Sequence, residues 1–239
     1  MEKLRPLILV NFKKVTGNDA LNLVKKLKNA DIFLKDYYSI AIALQPKDLS
    51  EASKITDLPL FLHDIFSDMP FHKILRNYTA ENRIYGVLLN HPENKLFKDT
   101  LSEDVYCSKK LNLKTIIAST SISEAAALNE KYLPDYIVIE NIRLIGQNIS
   151  IEKTCPMMVE NAVLTIPNRV LFGAGVRSSE DIKHILKCGG AGALVSSVIV
   201  GANDPERALA ELLQLSETNI QDEFFYNIGS NKIKTQKYD

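Results

Sequence analysis

The chain has no tryptophan, three cysteines and four histidines in 239 residues. Cys107, Cys155 and Cys188 stand far apart and form no Cys-x-x-Cys pair, so neither a disulfide framework nor a cysteine zinc site is expected. An excess of one charge is missing too, since 29 basic side chains balance 29 acidic ones. Such a balance gives no general electrostatic hold on nucleic acid or on an anionic membrane. No window approaches the roughly 18 apolar residues of a membrane span. The opening MEKLRPLILVNFKK has only a short apolar run and no small-residue cleavage site, unlike a signal peptide. The expectation is a cytoplasmic globular protein.

What is present is a regular alternation. Hydrophobic residues make up 46% and charged residues 24%, as in ordinary globular proteins. Short apolar runs fall at 6–12, 38–44, 58–64, 86–90, 114–120, 135–140, 169–175 and 191–197. Each is rich in Val, Ile and Leu without strict alternation, as strands covered on both faces are. Amphipathic stretches lie between them. Residues 18–29 put Ala20, Leu21, Val24 and Leu27 on one stripe, and 178–187 open with Ser-Ser-Glu-Asp. Asn203-Asp204-Pro205-Glu206 reads as a cap followed by proline in the first turn. Eight strand–helix units in about 215 residues predict a single-domain α/β fold, a closed (β/α)8 barrel over 1–216. The structural rival is an open doubly wound sheet, but the first strand ends in Asn-Phe-Lys-Lys rather than in a glycine-rich turn. Residues 66–83 must hold a long third loop and a helix. Residues 217–239 read as a polar, lysine-rich extension without a catalytic role.

Barrel active sites gather at the C-terminal ends of the strands. Those positions carry Asn11 and Lys13 after the first run, His91 with Glu93 after the fourth and Glu140 after the sixth. Gly173-Ala174-Gly175 follows the seventh run and Ser196-Ser197 the eighth. Taken singly, each has a plain reading: Lys13 as a solvated cation, His91 as a structural imidazole, Glu140 as a cap, the glycines as turn formers. Together, a cation, an imidazole, a carboxylate and a backbone anion nest on one rim suit a phosphorylated carbonyl compound.

The set resembles triosephosphate isomerase, particularly the shorter archaeal type, over residues 6 to about 214. Asn11-Phe12-Lys13 matches the family's Asn-x-Lys, and Asn90-His91-Pro92-Glu93 its Asn-His-Ser-Glu. Glu140 followed by Leu144-Ile145-Gly146 matches its glutamate and closing loop. Gly173-Ala174-Gly175, Ser196-Ser197 and Asp204-Pro205-Glu206 match its phosphate turn, small pair and last helix start. The resemblance implies an aldose–ketose isomerase of glycolysis and gluconeogenesis, working without metal or organic cofactor as a homodimer or homotetramer. It implies Glu140 as the base, His91 and Asn11 as donors to the carbonyl oxygen, and Lys13 as the countercharge. The phosphate would lie against Asn11, Lys13, Ile145, Gly146, Gly173, Ala174, Gly175, Ser196 and Ser197. In the family the histidine acts as a neutral imidazole beside a helix N-terminus, and Pro92 is consistent with a helix starting there.

Several positions differ from the family pattern. Pro92 replaces a serine, Asn94 an arginine, Asn141 a proline and Gln147-Asn148 a Thr-Gly pair. The third strand's Gln-x-x-His-like run is altered around Leu62-His63-Asp64, and the third loop lacks its Thr-Gly. Met69, Phe71, Ile74 and Leu75 in that loop suit either a subunit interface or packing on the barrel rim. Two alternatives therefore stand beside the isomerase: a related barrel acting on another phosphorylated sugar, and a non-catalytic phosphate-binding relative.

Overall fold

A computed structural model describes residues 5–63, 71, 74–75, 84–147 and 149–213. Eight parallel strands close a barrel in chain order. They are β1 (Leu7–Asn11), β2 (Ser39–Leu44), β3 (Leu60–Leu62), β4 (Ile84–Leu89), β5 (Lys114–Ser119), β6 (Tyr136–Ile139), β7 (Val170–Phe172) and β8 (Gly192–Val195). Closure pairs β1 with β8, Leu7 lying opposite Gly192 and Val10 opposite Val195. Every predicted apolar run overlaps one of these strands, β4 alone starting two residues before its run, so the closed (β/α)8 barrel is the observed fold.

Alternation along the strands sorts the core into two populations. Leu7, Leu9, Ala41, Ala43, Phe61, Leu88, Ile116, Ala118, Val138, Leu171 and Leu194 form one apolar cluster. Every strand contributes to it and no helix does, so it fills the barrel interior. The intervening residues, such as Ile8, Val10, Ile40 and Ile42, join the larger cluster under the helices. Because side chains alternate with a period of two, the next inward positions are residue 11 at the end of β1, 45 after β2, 63 after β3, 140 after β6 and 173 after β7. The rim above the apolar filling is thereby given Asn11, Gln45, His63, Glu140 and Gly173.

The helices begin where the caps indicate. The helix Ser179–Lys187 opens with a full capping box between Ser178 and Asp181. Asp204 caps Pro205–Leu212 by accepting from the Arg207 N–H. The helix Asn18–Leu34 runs five residues past the expected end. Phe71, Ile74 and Leu75 are buried in the larger core cluster, so they pack on the barrel rather than face a partner. Met69 and the rest of the third loop, and the 217–239 extension, lie outside the described residues. Among the described residues, no helix is long and apolar enough to cross a membrane.

Candidate active site

Asn11 is the last residue of β1 and is fully buried. Its Oδ1 accepts the Lys13 backbone N–H at 3.0 Å, and His63 Nδ1 lies 2.9 Å from the same oxygen. The amide nitrogen, Asn11 Nδ2, is buried with no partner among the described residues. Lys13 sits in the left-handed region with φ 50°, an uncommon place for a lysine. Its carbonyl accepts from Gln45 Nε2 at 2.8 Å, so the strained residue is tied on both sides. Its ammonium reaches Glu93 Oε2 at 3.5 Å.

His91 follows β4 after Asn90, whose own φ of 58° turns the chain at the strand end. Asn90 holds that turn by donating to the Ala118 carbonyl and accepting from the Leu96 N–H. The helix expected from Pro92 is a single 3₁₀ turn, Pro92–Asn94, and the α-helix begins only at Lys98. The bond from Leu96 back to Asn90 draws the chain inward and ends the turn. His91 caps this turn, because Nδ1 accepts the Glu93 N–H at 3.3 Å. A ring nitrogen that accepts carries no proton, so in the neutral imidazole the hydrogen is on Nε2. Nε2 is buried and has no hydrogen-bond partner among the described residues.

Glu140 follows β6, anchored by its N–H to the Ser119 carbonyl at 2.8 Å, and is buried. Its Oε1 lies 3.7 Å from His91 Nε2, adjacent but beyond hydrogen-bond range. The carboxylate fills the space over Gly173. Thus Asn11, Lys13, His91, Glu140 and Gly173 form one connected group. Gly175 (φ 87°) packs against Leu144 and Ile151, and its carbonyl accepts the Ile151 N–H. Ala174 is buried between the two glycines and Ile145 is half-buried, while Gly146 turns through φ 71° with open space around it. Ser196 precedes the short helix Ser197–Val200 after β8 without a side-chain capping bond, and β8 stands between β7 and β1. Asn141, one of the departures from the family pattern, accepts the Arg143 N–H with its side chain and the Leu144 N–H with its carbonyl. That local turn restrains the backbone by hydrogen bonds instead of by a ring.

The sequence reading gave no role to His63 or Gln45. Burial, reinforced by the nearby His91 and Lys13, holds the His63 imidazole well below its ordinary pKa. Its ring meets His91 edge-on, with centroids 4.9 Å apart. Continuing the inward alternation past Ala43 and Phe61 would have pointed to both residues. Among the described residues, no group of three or more His, Cys, Asp or Glu is placed to hold a metal ion.

No family model matches the chain. It is 30% identical over 225 residues to the triosephosphate isomerase of Methanosarcina mazei, covering 88% of this chain and 98% of that protein. The triosephosphate isomerase of Methanothermus fervidus is 31% identical over 222 residues, covering 87% and 98%. The chain belongs to the triosephosphate isomerase family. Solved structures add the fold alone. The tryptophan synthase alpha-subunit of Pyrococcus furiosus is 17% identical with a TM-score of 0.64, covering 88% of this chain and 98% of that one. Orotidine 5'-monophosphate decarboxylase from Methanocaldococcus jannaschii is 16% identical with a TM-score of 0.58, covering 86% and 95%. The isomerase relatives and these barrels match over similar lengths, and the difference lies in identity, 30–31% against 16–17%.

Proposed function

We propose that the chain interconverts dihydroxyacetone phosphate and D-glyceraldehyde 3-phosphate. One observation carries this reading: two buried N–H donors without acceptors among the described residues, Asn11 Nδ2 and His91 Nε2, beside the buried Glu140 carboxylate. Unsatisfied buried donors cost stability, about 1–3 kcal/mol each, a cost that a ligand oxygen meeting them would offset.

In this reading Glu140 removes a proton from the carbon next to the carbonyl and returns it to the adjacent carbon. A carboxylate shielded from bulk water is a stronger base toward carbon than a hydrated one. Negative charge develops on the carbonyl oxygen, where His91 Nε2–H and Asn11 Nδ2–H donate. Both are fixed beforehand, so little reorganisation is needed as the charge appears. Lys13 counters the enediolate and phosphate charge. Backbone N–H groups around Gly146, Gly173-Ala174-Gly175 and Ser196-Ser197 would hold the phosphate, with Ile145 covering it. The step needs no metal or organic cofactor. The cytoplasm, glycolysis and gluconeogenesis, and a homodimer or homotetramer are the setting this reading carries with it.

The test follows glyceraldehyde 3-phosphate conversion through a coupled dehydrogenase, for the native protein, Glu140→Gln and His91→Ala. Loss of base or donor should cost on the order of 100-fold or more. Equal, negligible rates for all three proteins would leave a non-catalytic phosphate-binding barrel.

A further inference from the structure

Hydrogen bonding around Asn11 leaves only one consistent arrangement. The Lys13 backbone N–H can only donate, so the Asn11 atom 3.0 Å from it is the oxygen. That oxygen cannot donate to His63 Nδ1 at 2.9 Å, so the His63 proton must be on Nδ1. Two consequences follow. Among the described residues neither Asn11 Nδ2 nor His63 Nε2 has a partner, the first a buried donor and the second a bare, buried acceptor. The opposite tautomer would set the Nδ1 lone pair against the Asn11 oxygen.

We propose that His63 is a positioning residue: its Nδ1–H locks the Asn11 side-chain amide in the one orientation that offers Nδ2 to the substrate oxygen. The inference rests on the isomerase reading above and names a group that works only through Asn11. A side-chain amide has nearly equal shape in its two orientations, and only hydrogen-bond partners distinguish them. Flipped, Asn11 would present a lone pair to the developing negative charge and oppose it. The Lys13 N–H selects the working orientation, and the His63 Nδ1–H then holds it with a second bond. Its depressed pKa keeps the ring neutral, with its single proton where Asn11 requires it.

Nitrogen-15 NMR of the histidine-labelled native protein reads the arrangement without turnover. The expected result is Nδ1–H for His63 and Nε2–H for His91. Nε2–H on His63 would overturn the inference. Kinetics then separates positioning from packing. His63→Leu should lower kcat/KM about 10–100-fold, whereas His63→Asn, whose amide nitrogen can occupy the Nδ1 position, should recover most of that loss. In an Asn11→Ala background, His63→Leu should cost less than about 3-fold, because the group it positions is gone. Losses that multiply across the two sites, or a folded His63→Leu protein at the native rate, would overturn it. If His63→Leu does not fold, the NMR tautomers and His63→Asn decide. If the native protein turns over no triose phosphate, the isomerase reading fails and the catalytic half of this inference with it. NMR would still decide whether His63 holds Asn11.

Discussion

The Glu140 carboxylate occupies the space that a side chain on Gly173 would need. A Cβ at that position would sit 2.6 Å from the Glu140 Cδ and closer still to Oε1. Gly173 does not adopt a left-handed φ, so space rather than backbone strain demands glycine. The obstructing atoms are the end of a flexible side chain, which can swing aside. Gly173→Ala should therefore fold with a small stability loss, about 1 kcal/mol. Its turnover should fall on the order of 100-fold, because a base displaced by about 1 Å misses its proton. Native-like melting with lost kcat is the expected pair of results; a native kcat would show that Glu140 has another productive position.

Gly192 gives the contrasting case. A Cβ there would lie 2.7 Å from the Leu7 nitrogen and 2.8 Å from its carbonyl carbon, at the seam between β8 and β1. Backbone in a hydrogen-bonded ladder cannot swing aside, and φ 138° is strained for any other residue. Gly192→Ala should cost more than about 3 kcal/mol or prevent folding. Denaturant unfolding measures it, and a variant as stable as Gly173→Ala would contradict the tight closure described above.

The barrel was legible because each strand buries both faces, which forces runs of Val, Ile and Leu such as Ile116-Ile117 and Ile137-Val138-Ile139. Asn11, Lys13, His91 and Glu140 were legible because they interrupt those runs at one end of the fold. His63 was not, because Leu62-His63-Asp64 reads as a departure from the family's third strand, and only its bond to Asn11 points to a role. The turn after His91 also departed from expectation. Proline starts a helix well, but the Asn90–Leu96 bond that stops this one spans six residues and leaves no local pattern. Phe71, Ile74 and Leu75 could not be assigned from hydrophobicity, which is equal for a core and an interface.

Lys13 provides a test of the backbone geometry independent of chemistry. At an ordinary exposed position, alanine is favoured over glycine because glycine loses more conformational freedom. At φ 50° a Cβ is strained by about 1–2 kcal/mol. Lys13→Gly should therefore unfold at higher urea than Lys13→Ala, with a difference of about 1 kcal/mol, although both lose the ammonium and should lose activity together. Alanine as the more stable of the two would remove the case for a strained lysine held by Asn11 and Gln45.

Asp181 ties the segment after the candidate lid to the turn that follows β7. One carboxylate accepts from the Ser150 hydroxyl at 2.5 Å, the Glu152 N–H at 3.1 Å, and the Arg177 N–H, Ser178 N–H and Ser178 hydroxyl at 3.0 Å each. Burial alone would raise its pKa, but the bonds from Ser150, Arg177, Glu152 and Ser178 outweigh burial and hold it below the usual carboxylate value. A carboxyl depressed by folding adds stability in full above its unfolded pKa of about 3.9, and that stability is lost as pH falls through the folded value. Asp181→Asn keeps the shape and loses the charge, so it should cost about 2–3 kcal/mol at neutral pH. Denaturant unfolding across a pH series should show a constant gap between the two proteins from pH 7 to about 5. The gap should then narrow below about pH 4, where the unfolded carboxyl takes up its proton before the native one. A gap that stays unchanged down to the acid transition would mean that the hydrogen bonds serve the shape of the residue and not its charge.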